Sequence, residues 1–302
     1  MPPGYCCEPW ICPEFSKGIW PRLRNARAAA RVEADVWHVT GDVHYLTYHL
    51  PRKRTLLTVH DCVFMHQTRG LRRWLLKKMF FDWAVPRAAI VTVISEATRR
   101  ELLSLVDVPP QRLRLVPCCV ASSFEYVPPR PLPAEPEVLM VGTKANKNLL
   151  RMIAALKGLT CKVHIVGELD VGLVAAVQAA GVEFRNSPEL DHAGMVEAYR
   201  ACDLVGFVST YEGFGLPIIE AQATGRPVVT SNTSSMPEAC GGAAMLVDPL
   251  QVASIHQGFR RVLNDHSLRA DLISRGRTNA ALYDARRVTR MYLDIYSELA
   301  QS

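Results

Sequence analysis

No stretch of this 302-residue chain comes close to the run of about 18 apolar residues that a membrane-spanning helix needs. The first residues, MPPGYCCEPWICPEF, hold prolines, acids and cysteines where an export signal needs a basic start and an apolar core. Nothing there marks the chain for export, and a soluble cytoplasmic protein is expected. The nine cysteines include no C-x-x-C spacing, and their odd number builds no compact disulfide framework. They read as reduced thiols. Cys118 and Cys119, if they lie in a strand, point to opposite faces and cannot easily ligate one ion, so no metal site is expected. No aromatic-basic motif of a nucleic-acid-binding module is present, which argues against a nucleic-acid partner.

What is present is an apolar share of 49% against 21% charged residues, in a chain long enough for two domains with separate cores. The charge is uneven. Up to residue 130 there are 19 Lys and Arg against 11 Asp and Glu, and beyond it 16 against 18, so the first half holds all of the positive surplus and suits an anionic partner. Five prolines crowd EYVPPRPLPAEPE, residues 125 to 137, a stiff exposed linker. Before it stand DVWHVTGD, TLLTVHD, IVTVISE and LRLVP, and after it EVLMVG, KVHIVG, VEFRN, DLVGFVS, RPVVTS and AAMLVD. Each is a short β-branched run followed by a turn or a stretch of helical period. Strand then helix, repeated on both sides of a linker, predicts an α/β protein of two Rossmann-like, doubly wound parallel-sheet domains, with ligands at the carboxyl ends of the strands. The expected domains are residues 1–128 and 137–284 around a linker at 129–136, with a helix at 285–302 that packs back on the first domain.

The segment STYEGFGLPIIEAQATGRPVVTS, residues 209 to 231, concentrates the chemistry. A strand ends near Ser209, the chain turns through Gly213, Phe214 and Gly215, and Pro217 stands where a first helical turn tolerates a missing N–H. Such a helix start offers unpaired N–H groups and a partial positive charge, and its glycines let a ligand approach the backbone. Glu212 precedes the turn, and Glu220 lies about one helical turn in, where its carboxylate can accept hydroxyl hydrogen bonds. A ligand with both a phosphate and a diol satisfies both ends. VGTKANKNLL repeats the theme with Gly142, Thr143, Lys144 and Lys147, and IVGEL ends a further strand on Gly167, so three strand ends converge on one pocket. Read as a dinucleotide fingerprint, GFGLPI fails at Ile218, which occupies the place of the third glycine. Two glutamates rooted on one helix start cannot easily flank an anomeric carbon, which disfavours a glycosidase.

With GTKANKN upstream and GRPVVTSNTSSMPEACGGAAMLVDP downstream, the EGFGLPIIE pattern resembles the retaining family-4 glycosyltransferases of GT-B architecture. The first half resembles them more loosely, through DVWHVTGDVHYL, LTVHDCVFM and VISEATRREL. The resemblance implies two Rossmann-like domains facing a cleft and transfer of a sugar from a nucleoside-diphosphate donor to a sugar or lipid-linked acceptor, with retention and without a metal or other cofactor. It implies that Glu220 binds the donor ribose and that Glu212 lies at the transferred sugar or the reacting centre. The N–H groups from Gly213 through Leu216 would hold sugar hydroxyls and diphosphate, and Lys147 would pair with the diphosphate. The nucleobase would lie near Asn186 to Leu190, with Glu189 and Leu190 as contacts. His60, in TVHD, matches a histidine that reaches the sugar and diphosphate. His38, Asp42 and His44 are weaker acceptor-side candidates.

Two departures qualify the resemblance. Thr143 stands where family members usually carry a basic residue, so Lys144 substitutes or Lys147 acts alone. The usual opening strand and glycine-rich loop are missing from the sequence, so a first domain reduced at its N-terminus, or a truncated chain, is expected. That leaves a non-catalytic nucleotide-sugar-binding or partner subunit as the competing reading. RGLRRWLLKKMFFDWAVPR, residues 69 to 87, alternates Arg72, Arg73, Lys77 and Lys78 with apolar and aromatic residues. It is read either as a core helix or as a helix lying on an anionic membrane face, which would make the protein peripheral at the inner membrane.

Overall fold

A computed structural model describes residues 4–301. Two compact units emerge, one formed by residues 4–93, 100–115 and 293–301, the other by Ile94–Arg99 and Val116–Tyr292.

In chain order the first elements are α1 (Ile19–Ala29), β1 (Trp37–Val39), β2 (Thr55–Val59), α2 (Val63–Gln67), α3 (Gly70–Lys77), β3 (Ile90–Val93), α4 (Glu96–Leu105) and β4 (Leu113–Leu115). The four strands form a parallel sheet in the order β1-β2-β3-β4. Every residue of β2 and β3 is buried, the pattern of strands covered on both faces. Leu57, Val59, Val91 and Val93 meet Ala26 and Ala29 of α1 and Leu102 of α4 in one core.

The segment read as either a core or a membrane helix divides. Lys78–Asp82 continues α3 as a single π-helical turn whose Phe80 and Phe81 are buried in that core. No residue of α3 itself is buried, and Leu71, Trp74 and Leu75 are 71%, 53% and 51% exposed. Ile11, Phe15, Ile19 and Trp20 are exposed in the same unit.

The second unit contains β5 (Glu137–Val141), α5 (Leu149–Leu156), β6 (Lys162–Val166), α6 (Val171–Ala180), β7 (Glu183–Ser187), α7 (His192–Ala201), β8 (Leu204–Phe207) and α8 (Leu216–Ala223). There follow β9 (Val228–Ser231), α9 (Met236–Cys240), β10 (Met245–Val247), α10 (Val252–Asn264), α11 (His266–Ala280) and α12 (Ala285–Ala300). From Leu293 onward α12 groups with the first unit, where the Tyr296 hydroxyl meets His38 Nδ1 at 2.7 Å. The six strands are all parallel, in the order β10-β9-β8-β5-β6-β7. Alternate residues of β5 face opposite sides, as strand geometry requires. Val138 and Met140 join a core with α5, α6 and α10, while Leu139 packs with α7, α8 and α9. Helices therefore cover both faces, and this is the doubly wound α/β arrangement expected from the sequence.

The proline-rich segment runs mostly exposed along the second unit, with Arg130 donating to Asp203 Oδ1 at 3.2 Å and 3.1 Å and to the Ala201 carbonyl at 2.7 Å. The edge strand β7 carries its charge outward. Glu183 pairs with Lys162 at 2.9 Å and Arg185 with Glu137 at 2.7 Å, a charged edge that discourages pairing with another sheet.

Candidate functional site

The strand order locates the site before any side chain is considered. From β5 the chain moves outward to β6 and β7, then crosses to β8 on the other side of β5 and continues to β9 and β10. The reversal opens a crevice at the carboxyl ends of β5 and β8, where doubly wound sheets bind ligands. Two loops meet there, and their side chains stitch them together. Thr210 N–H donates to the Asn146 carbonyl at 2.8 Å, and Asn146 Nδ2 donates to the Tyr211 carbonyl at 3.1 Å and to Glu212 Oε1 at 3.3 Å. Asn148, buried and left-handed at φ 59, ties the Val208 and Pro249 carbonyls at 3.1 Å and 2.7 Å.

Lys147 Nζ lies 2.7 Å from Glu212 Oε1 and 4.7 Å from the centre of the Phe207 ring. Its route there passes over Gly142 (φ 90), where a Cβ would stand 3.0 Å from both Cγ and Cε of the lysine. A side chain there would press on the lysine's path across the strand end, and φ 90 itself favours glycine.

Beyond Glu212 the chain turns on Gly215, left-handed at φ 114, into α8, with Pro217 in its first turn. Phe214 anchors the turn. It is buried with Ile94 and Ile219 and stands edge-on to Tyr283 at 5.3 Å. The N–H groups of Gly213, Phe214, Gly215 and Leu216 have no hydrogen-bond partner among the described residues. Together with Lys147 they make an electropositive strand end.

Glu220 closes the other side. Its Oε2 accepts from the hydroxyl of fully buried Tyr199 at 2.7 Å, which leaves Oε1 for another donor. Burial raises the Glu220 carboxyl above its ordinary range, and the Tyr199 hydrogen bond, His192 and Lys147 pull it partly back. A carboxylate held this way is suited to a pair of hydroxyls, and the N–H groups and the lysine to a phosphate.

The other expected residues fall into place unevenly. Gly142 N–H donates to the Val166 carbonyl at 2.8 Å, and Thr143 packs where a Cβ on Gly167 would lie, 3.0 Å from its Cγ2. Lys144 is exposed, so it is Lys147 that reaches Glu212. Asn186 is occupied in bonding the Ile165 and Gly167 carbonyls at 2.9 Å and 2.8 Å, Glu189 is exposed, and Leu190 packs beside the core that contains Tyr199.

In the first unit, His60 sits just beyond β2, half-buried. Burial lowers its pKa, against the opposing charges of Asp61 and Asp42. His38 has both ring nitrogens engaged, Nδ1 with the Tyr296 hydroxyl at 2.7 Å and Nε2 with Thr58 Oγ1 at 2.6 Å. His44 is enclosed, bonded to the Phe80 carbonyl at 3.0 Å, while Asp42 is exposed. Among the described residues no group of three or more His, Cys, Asp or Glu side chains is placed to hold a metal ion.

Sequence reasoning did not reach Asn146 or Tyr199, nor the hydroxyls of Ser95, Thr98, Ser234 and Ser235 behind the glycine turn. Tyr199 sits in ordinary helical periodicity on α7. The serines lie within the stretches VISEATRREL and SNTSSMPE, and only their clustering hinted at a shared task.

Comparison with known proteins adds an independent line. The family model described as "Glycosyl transferases group 1" matches residues 129–279, and that described as "Glycosyltransferase Family 4" matches residues 4–124. The chain is 27% identical over 309 residues to O-antigen chain mannosyltransferase B of Escherichia coli, covering 93% of this chain and 78% of that protein. Among solved structures, sucrose-phosphate synthase from Thermosynechococcus elongatus superposes with a TM-score of 0.78 at 22% identity, over 93% of this chain and 79% of that one. Anabaena Alr3699/HepE, in complex with UDP and glucose, gives 0.75 at 16% identity, over 92% and 81%. At such identities the structural likeness speaks for the fold.

Proposed function

The chain belongs to the glycosyl transferases group 1 family, with the GT-B fold and a relationship to O-antigen mannosyltransferases, and from that premise we propose that it transfers a sugar from a nucleoside-diphosphate donor to an acceptor hydroxyl, with retention of configuration. One observation carries the reading. At the switch point of the six-stranded sheet, Lys147, Glu212 and four unbonded N–H groups stand within one pair of loops, with a diol-ready Glu220 on the helix that follows.

In this proposal the diphosphate rests on the N–H groups of the Gly213–Leu216 turn and draws Lys147 away from Glu212. The exchange frees the Glu212 carboxylate to face the transferred sugar. Glu220 accepts the ribose hydroxyls through the oxygen that Tyr199 leaves open. As the bond from the anomeric carbon to the phosphate oxygen breaks, negative charge grows on the leaving diphosphate, where Lys147 and the helix start stabilise it most. The acceptor oxygen bonds the anomeric carbon on the same face, and its proton passes to the departing phosphate. That charge arrangement asks for no metal.

Similarity to an O-antigen chain mannosyltransferase supports a product in polysaccharide assembly, with a glycan or lipid-linked acceptor. The test is a panel of UDP-, GDP- and ADP-sugars, mannose among them, incubated with glycan and lipid-linked acceptors. Consumption of one donor, unaffected by a chelator and giving a product of unchanged anomeric configuration by NMR, supports the reading. Saturable donor binding with no hydrolysis or transfer for any acceptor would instead make the chain a nucleotide-sugar-binding subunit.

A contact with anionic membrane is a second proposal, carried by Leu71, Trp74 and Leu75 exposed beside Arg72 and Arg73 on α3.

A further inference from the structure

Three consecutive carbonyls of the glycine turn are held from behind by hydroxyls. The Glu212 carbonyl accepts from Ser234 Oγ at 2.6 Å and from Ser235 Oγ at 2.9 Å. That of Gly213 accepts from Ser95 Oγ at 2.6 Å and Thr98 Oγ1 at 3.1 Å, and that of Phe214 from Ser235 Oγ at 2.7 Å. Ser95 and Thr98 belong to the same compact unit as the turn, and Ser95 Oγ is itself fixed by the Thr98 N–H at 3.0 Å. Ser234 sits at φ 56, a left-handed conformation that a serine rarely adopts. It places one hydroxyl so that Oγ both donates to the Glu212 carbonyl and accepts from the Glu212 N–H at 3.2 Å.

The geometry of the peptide unit gives this clamp a consequence. In a planar trans peptide the C=O of one residue and the N–H of the next point in opposite directions. Fixing the carbonyls of Glu212, Gly213 and Phe214 therefore fixes the N–H groups of Gly213, Phe214 and Gly215, which are the groups without partners. A turn with two glycines has wide conformational freedom of its own, so its aim must come from outside. A hydrogen bond to each carbonyl also polarises the amide and strengthens the N–H on its far side.

We infer that Ser95, Thr98, Ser234 and Ser235 are positioning residues that aim the N–H groups of the glycine turn at a diphosphate without touching it. The inference rests on the proposed donor reading of the same site. A purely structural role, in which the hydroxyls only satisfy buried carbonyls, makes a different prediction. It would shift stability and the binding of all ligands together, whereas positioning acts on the phosphate end alone.

Calorimetric titration of the full chain with UDP and UMP, GDP and GMP, and ADP and AMP separates the two. In Ser95→Ala/Thr98→Val, which removes both hydroxyls on Gly213 with little change of shape, affinity for the diphosphate that the unaltered chain binds should fall about tenfold. Affinity for the matching monophosphate should stay within about twofold, and Thr98→Ser, which keeps the hydroxyl, should behave like the unaltered chain. Ser235→Ala tests the buried side of the clamp, and melting temperatures identify any variant that fails to fold, in which case the Ser95/Thr98 pair decides. Equal loss of both nucleotides, or no loss in a folded variant, overturns the positioning role while leaving the donor site standing. An unaltered chain that binds none of these nucleotides overturns the donor reading and the inference with it.

Discussion

At the carboxyl ends of the six-stranded sheet, backbone N–H groups stand unbonded and one oxygen of Glu220 is left open, whereas at the four-stranded sheet the polar side chains are largely turned inward. There the Tyr296 hydroxyl, His38, Thr58 and Thr92 form one hydrogen-bonded row with steps of 2.7, 2.6 and 2.6 Å, and His44 is sealed against Phe80. Burial is the first cause of the lowered pKa at His38, His44 and His60 alike. The same topology thus serves two ends. One sheet ties its polar groups into internal bonds, while the other leaves backbone N–H groups and a carboxylate oxygen unbonded among the described residues.

The contrast breaks most decisively at Lys147. Lys147→Ala should lower turnover on the order of a hundredfold with little change in melting temperature, because its charge matters most as the diphosphate departs. A folded variant with near-normal turnover would move that role to Lys144. Glu220→Ala comes next. Loss of a charged acceptor should weaken binding of the cognate nucleotide by about 1.5 to 3 kcal/mol, and unchanged affinity by titration calorimetry would remove Glu220 from the site.

In the first unit the predicted effect is on stability. The His38 pKa is held down at about 4 by burial first and by His60 second, so its neutral form is favoured in the fold. That contribution is complete above the ordinary value of about 6.5 and is lost as pH falls toward 4. Between pH 8 and pH 5 the loss from this residue should be about 2 kcal/mol. Denaturant melts of the unaltered chain and of His38→Gln check it, since the variant should lose less on acidification. A separate effect, on association rather than on the fold, concerns α3. Neutralising Arg72, Arg73, Lys77 and Lys78 should reduce co-sedimentation with anionic vesicles, by about 1 kcal/mol per charge near the surface, and added salt should do the same. Equal recovery with neutral vesicles, or none with either, would leave the exposed residues of α3 without a lipid role.

Much of this was legible in the sequence. All ten β-branched runs became strands, from DVWHVTGD with β1 to AAMLVD with β10; β2, β3 and β8, buried throughout, write that burial as a continuous apolar run, while the charged edge strand β7 does not. That Lys147 meets Glu212 beside the glycine turn was legible too, since these residues fall within two short segments. Residues that act through distance were not. Tyr199 meets Glu220 from another helix, and the four hydroxyls reach the turn from the start of α4 and from the loop before α9, where no periodic signal marks them. Nor did WHVTGDVH reveal that His44 is enclosed, because the short 3-10 helix His44–Tyr48 shows neither a period of 2 nor a clear period of 3.6.

Gly142 has an implication for how variants of this chain will be interpreted. Its missing side chain is the space through which Lys147 passes, so Gly142→Ala, which adds one methyl group and alters no charge, should displace the ammonium and read in an assay as a weakened copy of the Lys147 variant. Because Gly142 stands at φ 90, the same substitution also strains the backbone, so kinetic damage there would combine that strain with a displaced charge although every ionisable residue had been retained.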